Sequence, residues 1–231
     1  MNKPLLMLAL CLLTSITICG QCRYCKSYED FLEDKWESLD TVFCKGNSKS
    51  HRLWWGGNDY TLETGNKETD KILKNIAFAV MQDDAIYINC RNLRHEKASF
   101  GKGYCKAALI NENDLLITNV LISRESNLEH SMNAVAIGYM FGIVGGSIYA
   151  SVTASKQLKN KVCYILTSGA NEKGRYNITL FEDQMMDKLL LSRDLIDLHN
   201  AYYAEKDKNK RRLASRILPI LMEAGIIEAE E

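Results

Sequence analysis

The stretch IAFAVMQDDAIYINC (residues 76–90) contains two apolar runs, Ile76–Met81 and Ala85–Cys90, separated by the polar triplet Gln82-Asp83-Asp84. Short runs rich in branched and aromatic side chains are typical of β-strands, and the polar link between them predicts a tight hairpin. The pattern continues with Gly103–Ile110 and Leu115–Ile122, which the polar residues 111–114 separate. Four such runs at near-regular spacing predict an antiparallel meander.

Helices and a second hairpin are predicted on either side of this meander. A helix over residues 27–42 has Ser27 as its N-cap, and the charged stretch from Glu63 to Asp70 is predicted to be a solvated connection. Arg91–Lys102 is predicted to be a solvated loop, with a binding loop as the alternative. Two strands, over 161–166 and 176–181, are predicted to be joined by Thr167–Arg175. The predicted helices that follow cover Asp183–Leu191, Arg193–Glu205 with Ser192 as its cap, and Asn209–Ala224, which Pro219 should kink or shorten and Gly225 should stop. The predicted fold class is therefore α+β: an antiparallel β-meander domain, a glycine-rich apolar helix, a β-hairpin and C-terminal helices.

Composition describes an ordinary folded chain. The 231 residues include 29 basic and 29 acidic side chains, and 46% of the residues are apolar. A balanced charge of this kind argues against a nucleic-acid partner, because such binding needs an excess of basic side chains.

The first 20 residues, MNKPLLMLALCLLTSITICG, have the pattern of a secretory signal peptide. Lys3 precedes an apolar run from Leu5 to Leu13, and small and polar residues follow up to Gly20. The run is much shorter than the ~20 residues that a membrane-spanning helix needs. We therefore expect export, cleavage after Gly20, and an exported β-rich domain over residues 21–131. Export predicts a location in the cell envelope, on its periplasmic side.

Six cysteines remain after cleavage, and an even number in an oxidising compartment suggests disulfides. They are Cys22, Cys25, Cys44, Cys90, Cys105 and Cys163. A Cys90–Cys105 bridge is the simplest to build if these residues lie on neighbouring strands, and Cys22 or Cys25 could then bridge to Cys44. A zinc site formed by Cys22, Cys25, Cys44 and His51 is an alternative, because a C-x-x-C pair can bind one tetrahedral ion.

Residues 132–154 carry no charged side chain, and the 21 residues from Ala134 to Ala154 would span ~30 Å as a helix, which matches a bilayer core. Small residues also recur at every fourth position, a spacing that allows close helix association in lipid. This predicted helix-packing stripe consists of Ala134, Gly138, Gly142, Gly146, Ala150 and Ala154.

The flanking charges favour a spanning helix whose C-terminal side, residues 155–231, lies in the cytoplasm. Glu125 and Glu129 precede the segment, and Lys156, Lys159 and Lys161 follow it. Two alternatives are left open: another form of membrane association, and a glycine-rich element buried inside the protein. Cysteine parity disfavours spanning, because it would place Cys163 in a reducing compartment.

Candidate binding residues are few. Trp54 and Trp55, which two glycines follow, form a possible ligand platform, although an aromatic pair also packs at sheet edges. The G-x-S-x-G, P-loop, Rossmann and H-E-x-x-H motifs are absent from the sequence, and its four histidines are dispersed. We therefore predict no catalytic residue, no cofactor and no resident metal.

Several of these stretches together resemble a family of exported Bacteroidota envelope proteins of uncharacterised function with a glycine-zipper-like segment. The stretches are Leu53–Gly57, Tyr87–Cys90, Phe100–Tyr104, the glycine-rich segment and Val162–Leu166. The resemblance implies a cell-envelope location and brings no active site with it.

The sequence as a whole predicts a non-catalytic envelope protein that is associated with a membrane and binds a protein or ligand partner. The stripe of small residues would allow it to self-associate or to pair with another envelope protein. One alternative is a soluble periplasmic binding module, with a pocket at Trp54, Trp55 and His95 and with residues 132–154 buried. A second alternative is an enzyme without a recognisable motif.

Overall fold

The structure is a computed structural model that describes residues 22–48, 58–95, 98–121, 161–169 and 176–228. The strands are β1 Cys22–Cys25, β2 Glu37–Leu39, β3 Phe43–Gly46, β4 Tyr60–Glu63, β5 Ala79–Gln82, β6 Ala85–Asn89, β7 Arg94–His95, β8 Ala98–Ser99, β9 Tyr104–Leu109, β10 Leu115–Val120, β11 Lys161–Thr167 and β12 Asn177–Leu180. The helices are α1 Tyr28–Leu32, α2 Lys67–Asn75, α3 Asp183–Leu191, α4 Ile196–Tyr203, α5 Lys208–Arg211 and α6 Ala214–Glu223, and a 3-10 turn covers Cys90–Asn92.

Ten of these strands form one antiparallel sheet with the central order β12-β11-β10-β9-β6-β5-β1-β2. The predicted meander is confirmed, because β5, β6, β9 and β10 are neighbours in chain order. The predicted second hairpin is also confirmed, with Leu166 of β11 opposite Ile178 of β12. Strands β3 and β4 pair with each other, and Tyr60 of β4 joins the sheet opposite Tyr104 of β9. The observed mixture of one large sheet and several helices agrees with the predicted α+β class.

Two aspartates form the turn of the hairpin between β5 and β6. Gln82 lies opposite Ala85, so Asp83 and Asp84 alone form the loop. Their φ angles are 49° and 63°, which is the left-handed region at both positions. A two-residue loop of this kind matches the right-handed twist of the flanking strands, and aspartate is among the residues that tolerate it.

Both faces of the sheet are covered. Along β11, Val162, Tyr164 and Leu166 contact the core beneath α1, whereas Cys163 and Ile165 contact the core beneath the C-terminal helices. A third core lies under α2 and is centred on Leu73 and Val80. Because side chains alternate between the faces of a strand, a strand buried on both sides has a continuous apolar sequence.

The predicted helix over residues 27–42 is wrong after its first turns. Ser27 does cap α1, since its Oγ accepts a hydrogen bond from the backbone N–H of Asp30 at 3.0 Å. The helix ends at Leu32, and Asp34 follows with a φ of 53°. Glu37–Leu39 then pairs with β1 as β2. The hydrogen bonds that β1 offers at its edge outweigh the helical periodicity of these residues.

The predicted solvated connection from Glu63 to Asp70 is also wrong in part, because α2 begins at Lys67. The side-chain oxygen of Asn66 accepts hydrogen bonds from the backbone N–H groups of Glu68 and Thr69. Asparagine is a strong N-cap, and this cap places the charged residues of α2 on a helix instead of a loop.

The C-terminal helices have different boundaries from those predicted. Ser192 is the C-cap of α3, and α4 begins only at Ile196 because Asp194 has a φ of 58°. The predicted helix over Asn209–Ala224 is divided at Leu213, which forms a β-bridge with Val162. Helix α6 continues through Pro219 and stops before Gly225, whose φ is 61°.

The pairing of β10 with β11 corrects the predicted transmembrane topology. Val120, the last residue of β10, lies directly opposite Lys161, the first residue of β11. The chain therefore returns to the point at which it left the sheet, and residues before and after the glycine-rich segment share one core. A single pass that would put 21–131 and 155–231 on opposite sides of a membrane is incompatible with this register.

Within the described residues, the helices are all too short or too polar to cross a bilayer. The glycine-rich segment 132–154 itself, with the predicted stripe from Ala134 to Ala154, lies outside the described residues.

Candidate functional site

A groove of about 350 Å³ lies between the β7–β8 hairpin and the edge strand β12. We call it the β12 groove. The residues that line it are Arg94, His95, Thr167, Tyr176, Asn177, Ile178 and Thr179. Of these, the sequence had indicated His95 alone as a pocket residue. Its predicted companions Trp54 and Trp55 lie outside the described residues.

His95 is oriented by two contacts. Its Nδ1 lies 3.3 Å from the carbonyl oxygen of Ile178, and its ring meets the ring of Tyr164 edge-on at 5.3 Å. Since a carbonyl oxygen can only accept, this contact requires a hydrogen on Nδ1. The contact also uses an outward-facing carbonyl of the edge strand, so the β7–β8 hairpin covers this part of β12.

Arg94 is held across the β7–β8 hairpin. Its Nη1 donates to the carbonyl oxygens of Arg91 and Leu93, both at 2.9 Å, and to Oγ of Ser99 at 3.0 Å. The described lining of the groove thus contains one guanidinium, one imidazole, hydroxyls and an amide, and none of its side chains is a carboxylate. This chemistry suits a small anion or a ligand rich in hydrogen-bond acceptors.

A second cluster lies where β10 ends and β11 begins. We call it the anchor cluster, and it consists of Asn47, Asn58, Asp59, Asn119 and Lys161. Asn58 is buried, its Nδ2 donates to the carbonyls of Phe100 and Lys102 at 2.9 and 3.0 Å, and its Oδ1 accepts from Nδ2 of Asn119 at 2.6 Å. Lys161 forms an ion pair with Asp59. These contacts bind the start of β4 to both strands that flank residues 122–160.

Asn47 closes a loop in the same cluster. Its backbone N–H donates to the carbonyl of Asp59 at 2.6 Å, and its Nδ2 donates to the carbonyl of Asn58 at 2.9 Å. The described residues on either side of 49–57, a segment that includes Trp54 and Trp55, therefore meet at the anchor cluster. The described residues that flank 122–160 belong to the same cluster.

Gly103 is required for this arrangement. Its φ is 87°, and a Cβ at this position would lie 2.8 Å from the carbonyl oxygen of Tyr60. Only glycine permits the Gly101–Gly103 turn to approach β4 this closely.

The cysteines do not form the alternative zinc site within the described residues, where no group of three or more metal-binding side chains converges. Cys22 contacts the core beneath α2, whereas Cys25 contacts the core on the other face of β1. Residues three apart on a strand point in opposite directions, so these two sulfurs cannot bind one ion. His51 lies outside the described residues.

The six described cysteines are all reduced in this structure. Cys90 and Cys105 are nevertheless brought together, with their sulfurs 3.2 Å apart and both side chains fully buried. Burial raises the pKa of the Cys25 and Cys163 thiols to about 12. Cys44 is half-buried on β3.

A polar cluster also links the C-terminal helices. The guanidinium of Arg211 binds both carboxylate oxygens of Asp183, and Tyr202 donates to the same carboxylate at 2.9 Å. The Arg211 guanidinium holds the pKa of Asp183 below its usual range. Asp187 accepts from Nε2 of His199 at 2.9 Å and from the hydroxyl of Tyr203 at 2.8 Å.

These contacts join α3, α4 and α5 to one another, so this cluster is structural. His199 takes part in it through its contacts with Asp187 and with the ring of Tyr203.

Sequence reasoning missed most of both sites. Arg94 stands in a stretch predicted to be a solvated loop, and the polar residues of β12 are ordinary strand residues by composition. Asn58 and Asn119 are buried, and an isolated asparagine has no pattern that distinguishes a buried network from a turn. The glycines at 101 and 103 were the one available signal that a close approach occurs there.

Comparison with known protein families identifies the one to which this sequence is similar. A family model described as "Family of unknown function (DUF6563)" matches residues 23–227. Neither the curated proteins nor the solved structures contain a match to the chain.

Proposed function

The chain belongs to this family of unknown function (DUF6563), and from that premise we propose that it is an exported, non-catalytic envelope protein that attaches to a membrane surface at its anchor cluster. The signal peptide supports export, and the absence of catalytic motifs from the sequence supports a non-catalytic role. The apolar, uncharged residues 132–154 would provide the contact with lipid.

The observation that carries the proposal is the register of β10 and β11, in which Val120 lies opposite Lys161. Both ends of the intervening segment are held at one end of the sheet. The segment would therefore enter the membrane surface and return to the sheet on the same side of the membrane. The predicted membrane association is thus retained, and the predicted crossing is replaced by attachment from one face.

Trp54 and Trp55 strengthen the proposal, because the described residues that flank their segment, Asn47 and Asn58, belong to the anchor cluster. Tryptophan is enriched at membrane–water interfaces, where its ring lies in the headgroup region and its N–H reaches a polar partner. The sequence therefore supplies two kinds of side chain suited to a bilayer surface, and the residues that flank both segments meet in one cluster.

The register of β10 and β11 also allows a direct test of membrane attachment. Because Val120 and Lys161 pair directly, residues 121–160 can be replaced by an Asn-Gly turn that closes β10 and β11 as a two-residue hairpin. We would compare this variant with the chain that begins at Gln21, using flotation with vesicles of phosphatidylethanolamine and phosphatidylglycerol. Thermal unfolding of both proteins would establish that the shortened variant keeps its fold.

We expect the parent chain to float with the vesicles and the folded hairpin variant to remain at the bottom of the gradient. A parent chain that does not float, or a folded variant that floats equally well, would refute the proposal. The double variant Trp54→Ala/Trp55→Ala is expected to reduce flotation without abolishing it.

A second candidate function is binding of a small anion in the β12 groove, which is favoured by the presence of Arg94 and His95 and by the lack of a carboxylate among the described lining residues. The probes would be inorganic phosphate and succinate, with binding followed by NMR shifts of the groove residues. Arg94→Gln should abolish the shifts, whereas Arg216→Gln, a matched change on α6, should preserve them. Absence of shifts in the parent protein at millimolar probe would reject this candidate.

A further inference from the structure

Cys90 and Cys105 stand at the two ends of the arm that carries β7 and β8. Cys90 begins the 3-10 turn after β6, and Cys105 is the second residue of β9. The backbone N–H of Cys90 donates to the carbonyl of Gly103 at 2.9 Å, and Ile88 lies opposite Cys105, so the two cysteines are diagonal neighbours across one strand pair.

Their sulfur atoms lie 3.2 Å apart, and neither side chain is exposed to solvent. The sulfurs of a disulfide lie about 2.0 Å apart, so the two atoms need to approach by only about 1 Å to reach bonding distance. The pair lies in the core beneath α1, which also contains Ile88, Leu93 and Phe100. A disulfide here would therefore add no polar group to the core.

We propose that Cys90 and Cys105 form a disulfide that closes the arm bearing Arg94 and His95. The inference uses the export that is part of the proposed function, but it is independent of any contact with a membrane. Both thiols lose their hydrogens and a sulfur–sulfur bond forms. The two electrons and two protons pass to the disulfide of an exported thiol–disulfide oxidoreductase, which is reduced to a dithiol through a mixed-disulfide intermediate.

Burial determines when the bond can form. An oxidoreductase cannot reach sulfurs on side chains that are fully buried, and burial together with the Cys105 thiol raises the pKa of Cys90 well above its usual value. Since the thiolate is the attacking species, the folded, reduced protein should oxidise slowly. The bond must be made while β6 and β9 are still open, which is favoured by the short separation of the two cysteines along the chain.

The first experiment uses the natural chain refolded in a glutathione redox buffer, so that it depends on neither export nor membrane contact. Thiols are alkylated in denaturant, and the peptides are mapped by mass spectrometry. We expect a linked pair of peptides containing Cys90 and Cys105. Alkylation of both residues, or linkage of either one to another cysteine, would overturn the proposal.

The second experiment measures the effect of the disulfide on thermal stability. Reduction should lower the Tm by about 6–12 °C, from the loop-closure entropy of a ~15-residue loop. Cys163→Ala, which removes a buried thiol on the other face, should retain this response, whereas the double variant C90A/C105A should lose it.

Oxidation of the folded, reduced protein by glutathione disulfide should be at least tenfold slower than oxidation in urea. Equal rates would contradict the proposal that the bond forms while β6 and β9 are still open. The peptide map of the natural chain decides the bond itself even if a variant fails to fold.

Discussion

The side-chain amide of Asn119 donates a 2.6 Å hydrogen bond to the side-chain oxygen of Asn58, and both residues are about 6% exposed. One residue belongs to the sheet and the other to the loop that enters β4, so this contact couples the two segments that meet at the anchor cluster. Each side chain supplies the hydrogen-bond partner that water would otherwise provide, because solvent does not reach this position.

Replacing Asn119 by alanine should leave the Asn58 oxygen buried without its donor. We expect a loss of about 1–3 kcal/mol in the free energy of unfolding, the usual cost of an unsatisfied buried acceptor. Urea unfolding monitored by circular dichroism measures it. Asn75→Ala, on an exposed position of α2, should change the same quantity by less than about 0.5 kcal/mol. Equal effects of the two substitutions would show that the buried contact is not stabilising.

The Asp83–Asp84 turn should be improved by a sequence better suited to two left-handed residues. The double substitution Asp83→Asn/Asp84→Gly is expected to raise the free energy of unfolding by about 0.5–1 kcal/mol, because glycine adopts positive φ without steric cost. Asp40→Gly, a matched change at a residue without positive φ, should lower stability instead. The comparison needs only the two Tm values relative to the parent, and a lower Tm for the turn variant would contradict this account.

The Asp183–Arg211 pair should make stability depend on acid pH. Because Arg211 lowers the pKa of Asp183 in the folded state, the unfolded state binds the proton more readily. The stabilisation is complete above the unfolded-state pKa of about 3.9 and is lost as the pH falls through the lower folded-state pKa.

Asp183→Asn should therefore cost about 1–3 kcal/mol at pH 7, with a smaller difference from the parent at low pH. Unfolding by urea at a series of pH values provides the readout. Asp197→Asn, on an exposed position of α4, serves as the control and should leave the pH dependence of the free energy of unfolding unchanged. A pH-independent difference for Asp183→Asn would exclude the proposed linkage.

The predicted stripe of small residues can be tested although it lies outside the described part of the chain. Gly142→Leu should weaken self-association, because a large side chain prevents close approach of two helix backbones. Gly145→Leu makes the same chemical change off the stripe and should have a smaller effect. Sedimentation of both variants in mild detergent gives their oligomeric states, and identical states would remove the helix-packing role.

The local pattern of the chain was sufficient for the strands. Alternation and turn residues predicted β5, β6, β9 and β10 in their observed order, because neighbouring strands joined by short polar links have few other partners. Helical periodicity was misleading at Glu37–Leu39, since the same apolar spacing fits a strand once an edge such as β1 is available. The sequence pattern also failed to predict the N-cap at Asn66 and the β-bridge at Leu213. Both features depend on the neighbouring parts of the fold.

The two sites were less accessible to sequence reasoning. Arg94 and Thr179 are 85 positions apart and come together only because the β7–β8 hairpin folds over the edge strand. Asn58 and Asn119 meet because β10 extends beyond its pairing with β9 and β4 takes up the position alongside. Spacing along a chain carries no information about such contacts, since they arise from the order of strands in the sheet.

The expected signal peptide, the antiparallel strands and the uncharged segment at residues 132–154 could be predicted without a structure, because each depends on composition or on periodicity within a few residues. Three relations became visible only in the folded chain: the residues on both sides of the uncharged segment build one sheet, Cys90 and Cys105 share a buried position, and the residues that flank 49–57 and 122–160 belong to one polar cluster. These relations depend on strand register, which is fixed by the burial of whole faces and by hydrogen bonds between distant strands.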